Sequence, residues 1–163
     1  MKQKILILFA ILFVSFAYAE KTKRTSNKNS FSVKINLKGG HLAEVFLGCA
    51  EKATDKFDRD YDDMAPPPGI NTGYTAFISP DNKFYLYKDI RPFSEVVIWN
   101  LYGKIFENKN IILNWDLKTL PENYTFSASL NSEDKNYDMK KIKKIKISKT
   151  DVLTITAKKK SEK

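Results

Sequence analysis

Five aspartates fall within nine residues: Asp55, Asp58, Asp60, Asp62 and Asp63. They lie in the stretch Ala53-Thr54-Asp55-Lys56-Phe57-Asp58-Arg59-Asp60-Tyr61-Asp62-Asp63-Met64-Ala65-Pro66-Pro67-Pro68. Carboxylates crowded this closely are the donors that a hard cation such as Ca²⁺ takes from one short loop. The alternation Asp58-x-Asp60-x-Asp62 suits the start of such a loop. Counting from Asp58, no glycine stands at the sixth position and no glutamate at the twelfth, so the stretch is not an EF-hand. Lys52, Lys56 and Arg59 can neutralise the same carboxylates without a metal. Aspartates also shape turns by accepting hydrogen bonds from nearby backbone, and prolines hold a chain extended. Calcium at Asp55, Asp58, Asp60, Asp62 and Asp63 is thus one expectation, and a rigid structural brace is the other. No other cofactor is implied.

The remaining reactive residue types are sparse. His41, the only histidine, follows Gly39-Gly40 and reads as a turn residue with no acid–base partner. Cys49, the only cysteine, cannot close an internal disulfide. It follows Phe46-Leu47-Gly48 and reads as a buried structural thiol. Eight strand steps would hold His41 and Cys49 about 25 Å apart, which excludes a dyad within that strand. The chain shows no nucleophile with its base and no zinc, nucleotide or haem pattern. It is therefore expected not to be an enzyme.

The elements that must position these residues read as strands. Phe31, Val33, Ile35 and Leu37 alternate with polar residues, the period of a half-buried strand. Gly39-Gly40 supplies the hairpin turn, and a return strand is expected over 41–49. Residues 50–73 break the alternation and form a long loop, with a helical turn favoured over 50–56 by Ala-Glu-Lys-Ala. Further strands are expected over 74–79, 83–88, 95–102, 111–117 and 124–130, and then over 137–139, 145–147 and 151–157. A break is expected at 89–93. Trp99 and Trp115 lie in phase with aliphatic neighbours and read as core anchors. Many short strands at close spacing predict an all-β fold, specifically an Ig-like β-sandwich preceded by a hairpin and the long Asp/Pro-rich loop.

Residues 1–19 read as a signal peptide: two lysines in the first four residues, an apolar run over 5–16, then Ala17-Tyr18-Ala19 before Glu20. The run is shorter than the roughly 20 residues a membrane span needs, and no other segment is long and apolar enough to cross. Residues 20–29 are polar and read as a leader, 30–157 as the sandwich domain, and 158–163 as a basic tail. The whole chain carries a net charge of +9. Removing the signal, with its two lysines and no acids, leaves +7. An exported basic protein meets anionic surface polymers and acidic proteins before it meets nucleic acid. The expected partner is therefore a protein or an anionic cell-surface polymer, in a secreted, periplasmic or cell-surface setting.

Ala53-Thr54-Asp55-x-Phe57-Asp58, Tyr61-Asp62, Pro66-Pro67-Pro68 and Asp89-Ile90-Arg91, with Trp99, Leu113–Trp115 and Asp138-Met139 downstream, resemble a pattern of secreted modular proteins from Bacteroidetes-like bacteria. The resemblance covers roughly residues 42–157. It implies an exported Ig-like module without established activity, and it transfers no functional residue. The function expected is non-enzymatic protein interaction or surface assembly. The alternatives are calcium-dependent binding of a ligand, carbohydrate included, through 55–63, and a hydrolase using the loop carboxylates.

Overall fold

The computed structural model describes residues 30–107 and 109–161. The signal peptide and leader expected over 1–29 lie outside the described residues, as do the last two positions of the expected tail.

The described chain forms eleven strands: β1 (Ser30–Lys38), β2 (Glu44–Ala50), β3 (Asp63–Met64), β4 (Tyr74–Ile78), β5 (Tyr85–Arg91), β6 (Val96–Lys104), β7 (Ile111–Trp115), β8 (Tyr124–Leu130), β9 (Asn136–Asp138), β10 (Lys144–Ile147) and β11 (Asp151–Lys159). One 3-10 turn, Leu117–Thr119, is capped by the Asp116 side chain, which accepts from the Lys118 N–H. The fold is all-β, as alternation predicts. Hydrogen-bonded neighbours run unbroken in the order β10-β7-β1-β2-β5-β4-β6-β11-β8-β9, with β3 added beside β5. The pairing is one mixed sheet and does not divide into the two separate sheets of an Ig-like sandwich. Its one parallel pair, β2 with β5, spans Phe46–Cys49 against Lys88–Arg91. A parallel pair needs a crossover of a dozen or more residues, and the long loop with β3 and β4 supplies it.

The sheet must curl. Laid flat, its terminal strands β10 and β9 would stand about 43 Å apart at about 4.8 Å per step. Yet only residues 139–143 join them, a link that reaches at most about 21 Å. The two halves therefore face each other. A Cβ on Gly103 of β6 would lie 3.1 Å from Ile147 Cδ1 of β10. Phe31 of β1 packs edge-on to Phe126 of β8 at 6.2 Å between ring centres. The inward phases fill the space between: Val33 and Ile35, Val45 and Leu47, Trp99 and Leu101, Leu113 and Trp115, Leu153 and Ile155 are all buried. Both tryptophans are core anchors, as their phase predicts. The Trp115 indole N–H donates to Met139 O at 2.9 Å and so ties β7 to the link between the terminal strands.

Local departures have local causes. The return strand starts at Glu44 rather than His41, because Leu37 N–H bonds to Ala43 O across a wider turn. Gly39 sits at φ +96, and a Cβ there would fall 2.1 Å from Asn110 O. Only glycine tolerates both conditions. The helical turn expected over 50–56 is limited to one hydrogen-bonded turn, closed by Ala53 N–H on Ala50 O. Ala50 and Ala53 are instead drawn into a small apolar cluster with Ile90 and Tyr61, and burial outweighs a weak helix propensity. β5 continues through Asp89 and Arg91, where a break was expected, because the two charges satisfy each other. β11 carries the sheet two residues further than the pattern suggested, through Lys158 and Lys159.

Candidate functional site

Asp62 ties the aspartate loop to the sheet, beside the pairing of β3 with β5. Asp62 is 4 % exposed. Its Oδ2 accepts from the Asp58 N–H at 2.9 Å, and its Oδ1 accepts from the Ile90 N–H of β5 at 2.8 Å. Asp58 O accepts from the Tyr61 and Asp62 N–H groups, and Asp58 Oδ1 accepts from the Asp60 N–H. Asp63 lies in β3 and pairs with Lys88 at 3.6 Å. Asp55 and Asp60 are exposed. Asp58 and Asp62 thus spend carboxylate oxygens on backbone, and Asp63 on a lysine. Among the described residues, no group of three or more His, Cys, Asp or Glu side chains is arranged to hold a metal ion.

Behind the loop lies a buried charge cluster. The Arg91 guanidinium donates to both oxygens of Asp89, Nε to Oδ1 at 2.6 Å and an Nη to Oδ2 at 2.7 Å. Asp89 is 1 % exposed, and its carbonyl accepts the Trp99 indole N–H at 3.2 Å. Burial raises the pKa of Asp89, against the pull of Arg91. Burial also raises that of Asp62, against its two backbone donors. Cys49 faces Arg91 in the parallel register. Burial pushes its thiol up to about 12, so it stays protonated and is no nucleophile. The guanidinium is thus locked in a bidentate pair with the carboxylate.

His41 is more than a surface turn residue. It is half-buried and stacked on Tyr74, with ring centres 4.4 Å apart. Its Nδ1 accepts from the Thr75 N–H at 3.2 Å. Burial lowers its pKa, opposed by the backbone of Pro66. It lies at the opposite end of the sheet from Cys49, and no dyad forms.

The feature that alternation alone conceals is at the end where β1, β6 and β8 begin and β11 finishes. A cavity of about 600 Å³ opens there, walled by Phe31, Phe93 and Tyr124 and edged by Asn123, Glu51 and Lys159. Phe31 lies 6.0 Å from Phe93 and 5.9 Å from Tyr124 between ring centres. Phe93 is 41 % exposed, unusual for an aromatic continuous with a core. The Tyr124 hydroxyl is held by Ser94 O at 3.2 Å. Lys159 shares the inward phase of Leu153, Ile155 and Ala157, so the strand that fills the core ends by presenting an ammonium in its mouth. That phase was readable in the sequence once β11 is extended past Ala157.

A second hollow of about 390 Å³ adjoins this end, lined by Thr125, Ser127, Asn136, Asp138, Lys140 and Lys160 among others. Lys140 Nζ donates to Pro121 O at 2.6 Å, and the Lys160 N–H donates to Asn123 O at 2.9 Å. The 121–123 corner therefore gathers both lysines. Burial, and then the Lys160 ammonium, lower the pKa of Lys140; Glu122 and Asp138 oppose them. Both lysines line this hollow together with Asp138 and with hydroxyl and amide groups. No protein-family model, no curated protein and no solved structure matches this chain.

Proposed function

We propose that this protein is an exported, non-enzymatic β-module that binds an anionic partner at the lysine-rich end of its curled sheet. The observation that carries the reading is the convergence of Lys140, Lys159 and Lys160 on the 121–123 corner, beside two hollows. Strand pairing brings together lysines that lie about twenty residues apart in sequence. Acids share this end, with Glu51 in the cavity and Glu122 and Asp138 near Lys140. Lys141 and Lys143 follow in the same link, and Lys141 is paired with Asp138 at 3.4 Å. Positive charge exceeds negative there, as in the whole chain.

The test is retention of the protein on an immobilised polyanion as sodium chloride is raised. Exposed charges are screened beyond about 10 Å at 0.1 M salt, so binding through this end must weaken steeply with salt. Lys159→Glu with Lys160→Glu, both exposed positions, should abolish retention while the melting temperature holds. Retention unchanged by that pair would sink the reading.

A further inference from the structure

The polyanion reading uses charge alone and leaves the aromatic walls without a role. We propose that the cavity at the mouth of the sheet binds a sugar ring of an acidic glycan, with Phe93 as the stacking face and Lys159 as the carboxylate partner. This rests on the anionic reading and narrows it to one ligand chemistry.

Three observations lead there. The first is shape: about 600 Å³ lies within the range of small-ligand sites, and it is larger than one side chain needs. The second is the wall chemistry. Phe93 leaves two-fifths of its area to solvent and packs on Phe31, which is backed in turn by the buried Tyr124. A core residue would be covered, whereas a ring waiting for a flat apolar face would not. The C–H face of a pyranose is such a surface, and its hydroxyl edge needs donors and acceptors at the rim. Asn123, which lines the same cavity, offers both through its side-chain amide.

The third observation is charge. Lys159 reaches the mouth on the inward phase of β11, and Lys140 and Lys160 lie across the Pro121–Asn123 corner in the adjoining hollow. A glycan with a carboxylate on each ring would meet Lys159 with the first residue and the Lys140–Lys160 pair with the next. A plain polyanion would leave Phe93 unused, and a neutral sugar would leave the lysines unused. Glu51 within the cavity and Asp138 beside Lys140 select against ligands carrying charge at every edge, such as polyphosphate.

The experiment is calorimetric titration of the protein with tetragalacturonate, neutral cellotetraose and polyphosphate. Phe93→Ala, Lys159→Ala and Lys140→Ala/Lys160→Ala serve as variants, each checked for an unchanged melting temperature. Phe93 and Lys159 are exposed enough to be replaced without loss of fold. The expected result is binding of tetragalacturonate, weakened at least tenfold by Phe93→Ala and again by Lys159→Ala, with cellotetraose at least tenfold weaker. Should polyphosphate bind as well as tetragalacturonate and Phe93→Ala leave both unchanged, the anionic reading stands and the glycan inference is overturned. Equal binding of cellotetraose, indifferent to the lysine variants, overturns the anionic reading and the acidic part of the inference. No binding of any probe overturns both.

Discussion

Replacing Asp62 by alanine removes the acceptor for two backbone N–H groups, one of them inside the sheet. The Ile90 N–H is buried and would face an apolar cluster of Ala50, Ala53 and Tyr61. Leaving a buried donor unpaired costs about 1–3 kcal/mol. The Asp58 N–H is closer to water and costs less. Against this, Asp62 carries its charge at an expense that burial imposes, seen in its raised pKa. The balance is a loss of about 3 kcal/mol for alanine. Asparagine keeps one carbonyl acceptor and sheds the charge, so its loss should be about 1 kcal/mol. For a domain of this size, 1 kcal/mol corresponds to about 3–4 °C. Thermal unfolding should therefore fall by about 10 °C for Asp62→Ala and by about 3 °C for Asp62→Asn. Asp60→Ala, at an exposed position, should stay within about 0.5 kcal/mol of the parent. The same scans with EDTA and with millimolar calcium should coincide, because a site on the native state would raise the midpoint by mass action. Equal losses at Asp60 and Asp62, or a calcium-dependent rise abolished by Asp62→Asn, would refute the brace and return the loop to metal binding.

Acidification should destabilise the domain through His41. Its folded pKa lies below the unfolded value of about 6.5, so the unfolded chain binds the proton first. Stability is then full above pH 6.5 and declines as pH falls towards the folded pKa. His41→Gln should flatten that part of a urea-midpoint profile, and an unchanged profile would exclude the mechanism. Asp62 and Asp89 act with the opposite sign. Their folded pKa values are raised, so between the ordinary carboxylate range and those values the folded state gains protons first, and lowering the pH adds stability. Gly48→Ala should cost several kcal/mol or prevent folding. Its Cβ would lie 2.1 Å from Phe31 O, a backbone atom that cannot swing aside; a soluble variant with parental Tm would show the β1–β2 seam to be far looser than described. Cys49, buried and with its thiol pushed to about 12, should resist a disulfide reagent at pH 8 until the protein unfolds. Labelling within seconds in the native state would contradict its burial.

Much of the fold was legible because alternation is a direct readout of one buried face. The strands at Tyr124–Leu130, Ile111–Trp115 and Tyr74–Ile78 fall where period two places them. The departures fall where a tertiary partner overrides the local pattern. Asp89 and Arg91 look like a break until the guanidinium closes on the carboxylate inside the sheet. β3 is two residues long and owes its existence to β5 alone, so nothing in the loop announces it. The continuous strand order was likewise hidden, since no alternation reports which strand pairs with which. At the site, the aspartates stood out by composition, yet composition does not say that Asp62 faces inward while Asp60 faces water. The aromatic mouth was the reverse case. Phe31 and Tyr124 lie in the inward phase of their strands, and only the curl of the sheet, which brings β1 against β8, places them beside the cavity.

β11 is the last strand among the described residues but sits between two earlier ones. Asp151–Lys158 pairs with β6 on one side, and Leu153–Lys159 pairs with β8 on the other. Until those final residues arrive, β6 and β8 each offer an open row of amide and carbonyl groups to any neighbouring chain. A chain that has not yet placed 151–159 therefore leaves β6 and β8 half-zipped. During that interval it is exposed to intermolecular pairing, as chains dominated by distant contacts are. Peptides copying 151–159 should compete for that slot during refolding. A cell making this protein in quantity would gain from a holding chaperone that releases the chain only after its last strand has emerged.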